Sequence, residues 1–182
     1  MVPAGFMAKT VCDTPDWLKN DSVADIYSVS SCVSEAFCDY IKHWRHNGYW
    51  LFDSPAIIRE LAAAQGIDLS TLKLFYYEVY EEQFDEEHRA WERFEPEASF
   101  ETAVRVPPER QLEGFDVVTF YARTSPECSP LSCNHMAESI HVNRHCLLSS
   151  FDEAKAFLDS GAFENCEHGP YRIFAVYSCP AA

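Results

Sequence analysis

Two stretches of this chain are apolar on both faces of an extended strand, and they constrain the fold more than any other feature. In residues 72–82, Leu74, Tyr76 and Tyr80 fall on one face, and Phe75, Tyr77 and Val79 fall on the other. Residues 171–178 read Tyr-Arg-Ile-Phe-Ala-Val-Tyr-Ser and are apolar on both faces as well. A strand with no polar face is a central strand covered on both sides.

The cover is legible too. Ser54 is a good helix N-cap, and Pro55 sits at the first helical position, where its missing N–H costs nothing. Ile57, Ile58, Leu61 and Ala62 form the inward face of that helix, and Gly66 stops it. Ser34 and Glu35 open an earlier helix with Phe37, Ile41 and Trp44 on one face and Gly48 at its end. Ser150 and Glu153 form a capping box for a last helix that carries Phe151, Ala154, Phe157 and Leu158 inward and ends at Gly161. Further strands are expected at residues 25–30, 100–106 and 115–123, with an irregular loop at 124–135. Consecutive strands in the middle argue against a regular doubly wound fold. The expected architecture is α+β, one mixed or mostly antiparallel sheet of about five strands with about three helices packed on it. Residues 1–21 read as a loosely ordered lead-in and 22–182 as a single domain. No internal repeat is evident.

Length and charge bound the function. The 182 residues, 47% hydrophobic and 14% aromatic, suffice for one sizeable core. The net charge is −15, from 29 Asp and Glu against 14 Lys and Arg. A nucleic-acid binder draws its affinity from a basic face, so this balance argues against direct nucleic-acid binding and against docking on an anionic membrane. No apolar run approaches the ~20 residues of a membrane span. The opening Met1 to Cys12 lacks the basic start and long apolar stretch of a secretory signal, which points to the cytoplasm.

The charge is uneven. Residues 78–116 hold 13 Asp and Glu against four Arg. The densest part, Glu81, Glu82, Gln83, Phe84, Asp85, Glu86 and Glu87, is followed by Trp91 and Phe94. Aromatic anchors inside a charged rim suit docking on a basic protein surface. Glu81, Glu82, Phe84, Glu86, Glu87 and Trp91 are therefore the candidate partner-binding residues. The first expectation is a small acidic binding or regulatory protein, of inhibitor or immunity type, acting through this surface. A solvated loop or helix whose aromatics anchor it to the body is the plainer alternative.

The second candidate region is chemical. Cys128, Cys133, His135, His141, His145 and Cys146 lie within one short stretch, with Cys166 and His168 further on. Zinc takes about four N or S ligands in a tetrahedron, and short loops gather them well. Cys128, Cys133, His135 and Cys146 are the candidate ligands, for a structural zinc staple or for an enzyme using Cys, His or metal chemistry around residues 124–146. The spacing lacks a paired Cys-x-x-Cys, so free thiols with no cofactor, or a Cys128–Cys133 disulfide, stand beside the zinc reading. No phosphate-binding loop, nucleophile elbow or His-Glu-x-x-His motif is present, and whether the chain is an enzyme stays open.

Overall fold

The computed structural model describes residues 1–13, 15–30, 32–33, 47–98, 101–120 and 127–180. Among them are strands β1 (Val2–Lys9), β2 (Cys12–Asp13) and β3 (Asp25–Ile26), helix α1 (Pro55–Gln65), strands β4 (Lys73–Val79), β5 (Glu82–Asp85), β6 (Ala90–Arg93) and β7 (Gln111–Thr119), helix α2 (Phe151–Ser160) and strand β8 (Tyr171–Ser178). The two strands with no polar face, β4 and β8, pair antiparallel at the centre, with Tyr77 opposite Val176. β1 pairs with the far edge of β4 and β7 with the far edge of β8, both antiparallel. β5 continues past β4 along the same edge of β8, meets it at Phe84–Tyr171, and folds back on β6 as a hairpin. The result is a six-stranded antiparallel sheet, with β2 and β3 forming a separate two-stranded ribbon.

Burial explains why the central strands must be two-sided. Phe75, Tyr76, Tyr77, Ile173, Phe174 and Val176 are all buried. One core cluster joins all of them but Ile173 to β1 and α1 through Phe6, Phe52 and Ile58; a second gathers Ile173, α2 and the 131–148 loop through Leu131, Leu148 and Leu158. Each such side chain contributes about 1.5–3 kcal/mol on leaving water. The helix ends follow their residues. Gly66 and Gly161 cap α1 and α2 in the left-handed conformation, and Ser150 accepts a hydrogen bond from the Glu153 N–H at 3.2 Å.

The structure departs from the sequence expectations in four places. Residues 2–9, expected in a loose lead-in, are the strand β1, because a bulge between Pro3 and Gly5 absorbs the two residues that interrupt the pattern. Residues 101–106 alternate in hydropathy but pair with no strand. The sheet has six strands instead of five, and the described residues hold two α-helices instead of three; the helix opened by Ser34 falls in 34–46, outside the described residues. The strand expected at 25–30 is only two residues long.

Beyond these four, the largest departure is that the chain carries an internal repeat. In the first half, β1 has a bulge just before Gly5, which lies at φ +138° opposite Tyr77. In the second, β7 has a bulge just before Gly114, at φ +152° opposite Val176. A Cβ on Gly5 would lie 2.7 Å from the Leu51 Cβ, and one on Gly114 would lie 2.7 Å from the Leu148 carbonyl, so both positions require glycine. In each half an asparagine closes a loop over that glycine. Asn47 donates to the Ala4 carbonyl at 2.7 Å and accepts from the N–H groups of Tyr49 and Leu51. Asn143 donates to the Glu113 carbonyl at 2.7 Å and accepts from His145 and Leu147. Three residues on, Trp50 and Cys146 each sit at φ +59°. A β-bridge follows in each half (Phe6 with Phe52, Phe115 with Leu148), then a serine, a helix, a glycine cap and the central strand. Tyr77 and Val176 are equivalent positions in the two halves and pair with each other, which places a pseudo-twofold axis through the middle of the sheet.

Candidate metal centre

Between the first strand and the closing loop, each half carries a long insertion, and these two insertions meet. The contact is built on a buried polar network. Lys9, at the end of β1, is 1% exposed and donates through Nζ to the carbonyls of Ser28, Val29 and Ser30 at 2.6, 3.0 and 2.5 Å. Asp116, on β7, is fully buried; it accepts from the Ser28 hydroxyl at 2.7 Å and the Val29 N–H at 2.8 Å, and from the Ser129 hydroxyl at 2.6 Å. A lysine of the first half and an aspartate of the second thus grip residues 28–30 from two sides, and the same aspartate fixes Ser129. Burial raises the Asp116 carboxyl; its three hydrogen bonds and the Lys9 charge oppose that rise.

This grip sets the position of three sulfurs. The Ser30 hydroxyl donates to the Glu127 carbonyl and accepts from the Cys32 N–H at 3.1 Å. Glu127 and Cys128 are held beside β7 by backbone bonds to Thr119, and the Cys133 N–H closes a turn on the Ser129 carbonyl at 2.8 Å. The ligand atoms of Cys32, Cys128 and Cys133 consequently all lie within 4.8 Å of one another. The Cys32 and Cys128 sulfurs are 3.6 Å apart. Thiolates bound to a tetrahedral zinc at about 2.3 Å stand ~3.8 Å from each other, so the cluster has the dimensions of three corners of such a site.

The three thiols are electrostatically unequal. A hydrogen bond from the Cys133 thiol, helped by Ser30 and Cys128, holds Cys32 down to about 5 against burial and the Glu167 charge. When protonated, the Cys32 thiol donates to the Glu127 carbonyl at 2.8 Å. Cys128 is pushed up to about 11, chiefly by burial. Cys133 is raised by the hydrogen bond it gives to Cys32.

Of the four expected ligands, the structure brings two together. Cys128 and Cys133 are in the cluster with Cys32. Cys146 is buried at the left-handed position of the second Asn loop, equivalent to Trp50, and burial pushes its thiol up to about 12. His135 stands edge-on to Trp17, with Nδ1 3.2 Å from Glu138. Cys32 carries no signal in the sequence pattern because it is 96 residues from Cys128, and no local spacing reports such a distance. The seven described cysteines are all free, so Cys128 and Cys133 form no disulfide; Cys38 lies outside the described residues.

The acidic candidate surface is the β5–β6 hairpin. Phe84 is buried, and Trp91 donates from Nε1 to Asp159 of α2 at 2.7 Å, with the Lys155 ammonium 3.9 Å above its ring. Glu82 accepts from the Tyr80 hydroxyl at 2.9 Å and Glu86 from the Gly169 N–H at 2.9 Å. Of the six residues, only Glu81 and Glu87 are exposed. The aromatics anchor the hairpin to its own domain.

Comparison with protein families, with curated proteins and with solved structures finds no match to this chain. No helix among the described residues is long and apolar enough to cross a membrane.

Proposed function

We propose that this protein binds a thiophilic divalent metal, zinc by preference, through Cys32, Cys128 and Cys133. The observation that carries the reading is the convergence of three sulfurs from two segments nearly a hundred residues apart. Soft thiolate donors select zinc over hard cations such as magnesium or calcium. The metal joins the insertion of the first half to that of the second, so it acts as a staple across the pseudo-twofold axis. Cys32 is exposed, which leaves one side of the metal accessible to a fourth donor from solvent or a partner.

Cobalt(II) titration of the reduced protein tests this. Thiolate-to-cobalt charge-transfer absorption should grow to saturation at one equivalent and be lost in Cys133→Ser. Absence of that band in the wild type would contradict the reading. Docking of a basic partner on the acidic hairpin remains a proposal from charge alone. Its aromatic anchors face the fold, and the thiol cluster is the better-supported site.

A further inference from the structure

The same three sulfurs carry a second chemistry when no metal holds them. Cys32 is the exposed one among the seven described cysteines; the others are half-buried or buried. Its sulfur is in contact with another thiol, the Cys128 S–H pointing at it across 3.6 Å. The two residues come from different halves of the molecule, Cys32 held through Ser30 and the Lys9–Asp116 grip, Cys128 through backbone bonds to Thr119 on β7. An accessible thiol poised beside a second one is the arrangement of a reversible oxidation site.

We propose that Cys32 and Cys128 form a hydroperoxide-sensitive pair, oxidised to a disulfide that takes two of the three ligands away from the metal. The proposal shares its residues with the metal reading; the thiols react in the metal-free form, and their oxidation draws metal off the loaded protein by depleting that form. In the first step the Cys32 sulfur attacks the outer peroxide oxygen and the O–O bond breaks. The leaving alkoxide takes the thiol proton and departs as alcohol, and Cys32 becomes a sulfenic acid. In the second, the Cys128 sulfur attacks the Cys32 sulfur, the S–O bond breaks, and the released hydroxide takes the Cys128 proton to leave as water. Two electrons pass from the two sulfurs to one hydroperoxide, and a dithiol reductant reverses the change. A disulfide needs the sulfurs at about 2.0 Å. The movement falls to the exposed Cys32 side chain, because Cys128 is tied to the sheet. Cys133 is left as a lone thiol. Oxidation therefore exchanges a metal staple for a covalent one between the same two insertions, so the halves stay joined while metal is released.

The test uses the full chain, reduced, stripped of metal and treated with one equivalent of hydrogen peroxide. Remaining thiols are alkylated and the protein is mapped by peptide mass spectrometry. A single Cys32–Cys128 disulfide is expected, with every other cysteine, Cys133 included, alkylated. Cys128→Ser should stop at a Cys32 sulfenic acid that dimedone traps. After zinc loading, the same peroxide treatment should release the metal without lowering the melting temperature. Disulfides scattered over the other cysteines, or Cys32 recovered as a free thiol after the peroxide is consumed, would overturn the proposal. The wild-type map decides even if the serine variant does not fold. Zinc titration of the reduced wild type reads the metal site separately. Zinc bound with no Cys32–Cys128 disulfide sinks this proposal alone; the disulfide without zinc binding sinks the metal reading alone.

Discussion

The two halves of the molecule share a scaffold and differ in chemistry. Gly5 and Gly114, Asn47 and Asn143, Gly66 and Gly161 do the same work in each. Around them the side chains diverge. Where the second half has Asp116, two residues past its bulge glycine, the first has the apolar Met7. Where the second has Cys146, the first has Trp50. The insertions have little in common: one supplies the Ser28–Cys32 segment, the other the Cys128–Cys133 turn. The repeated positions hold backbone geometry that few residues can supply, and the unrepeated ones build the buried network and the thiol cluster. In this molecule the candidate site lies where the symmetry is broken.

Substitutions at the shared positions should have the largest effects. Gly5→Ala and Gly114→Ala each force a side chain into a positive-φ bulge and into contact at 2.7 Å. Each should cost about 3 kcal/mol or more in urea unfolding, by similar amounts in the two halves. A large cost at one glycine and none at the other would mean that the halves are not equivalent.

The asymmetric positions come next. Asp116→Ala leaves the Ser28 and Ser129 hydroxyls and the Val29 N–H without their acceptor in a buried site, a loss of roughly 3 kcal/mol. The equivalent Met7→Ala removes apolar contacts alone, about 2–3 kcal/mol, and should leave metal binding intact. Asp116→Ala should weaken metal binding as well, measured by competition with a chromogenic zinc chelator.

A smaller difference separates the helix starts. The Ser150 hydroxyl caps α2, whereas Ser54 makes no side-chain cap to α1. Ser150→Ala should lower stability by about 1 kcal/mol and Ser54→Ala by much less. Equal losses in thermal melts would contradict the assigned caps.

Cys146 gives a pH dependence. Its thiol is raised in the folded state to about 12, chiefly by burial. Its contribution to stability is therefore complete below the unfolded value near 9 and is lost as the pH rises through about 12. Alkylation of Cys146 at pH 8 should await unfolding; rapid labelling in the native protein would show that the residue is not buried as described.

Much of the scaffold was legible because it follows from local rules. The two-sided strands, the Pro55 helix start, the Ser150 capping box and the glycine stops each declare themselves within a few residues. β1 was hidden by Pro3 and Gly5, which read as breakers and act as a bulge. The repeat was hidden because its two Asn loops, Asn47-Gly-Tyr-Trp-Leu and Asn143-Arg-His-Cys-Leu, share only asparagine and leucine, while hydrogen bonds and φ angles carry the rest. The thiol cluster was half legible. Cys128 and Cys133 stood out by spacing, and Cys32 did not, since only the sheet brings its segment beside theirs. The acidic run was visible as charge, but charge does not say that Phe84 and Trp91 face inward.

The most direct measurement is zinc content per chain for the reduced wild type, Cys32→Ser and Cys146→Ser, each loaded with zinc and freed of excess. The wild type and Cys146→Ser should each hold one zinc, and Cys32→Ser, which removes the ligand most distant in sequence, should lose binding. Zinc retained without Cys32, or lost without Cys146, would contradict a thiol centre built from Cys32, Cys128 and Cys133.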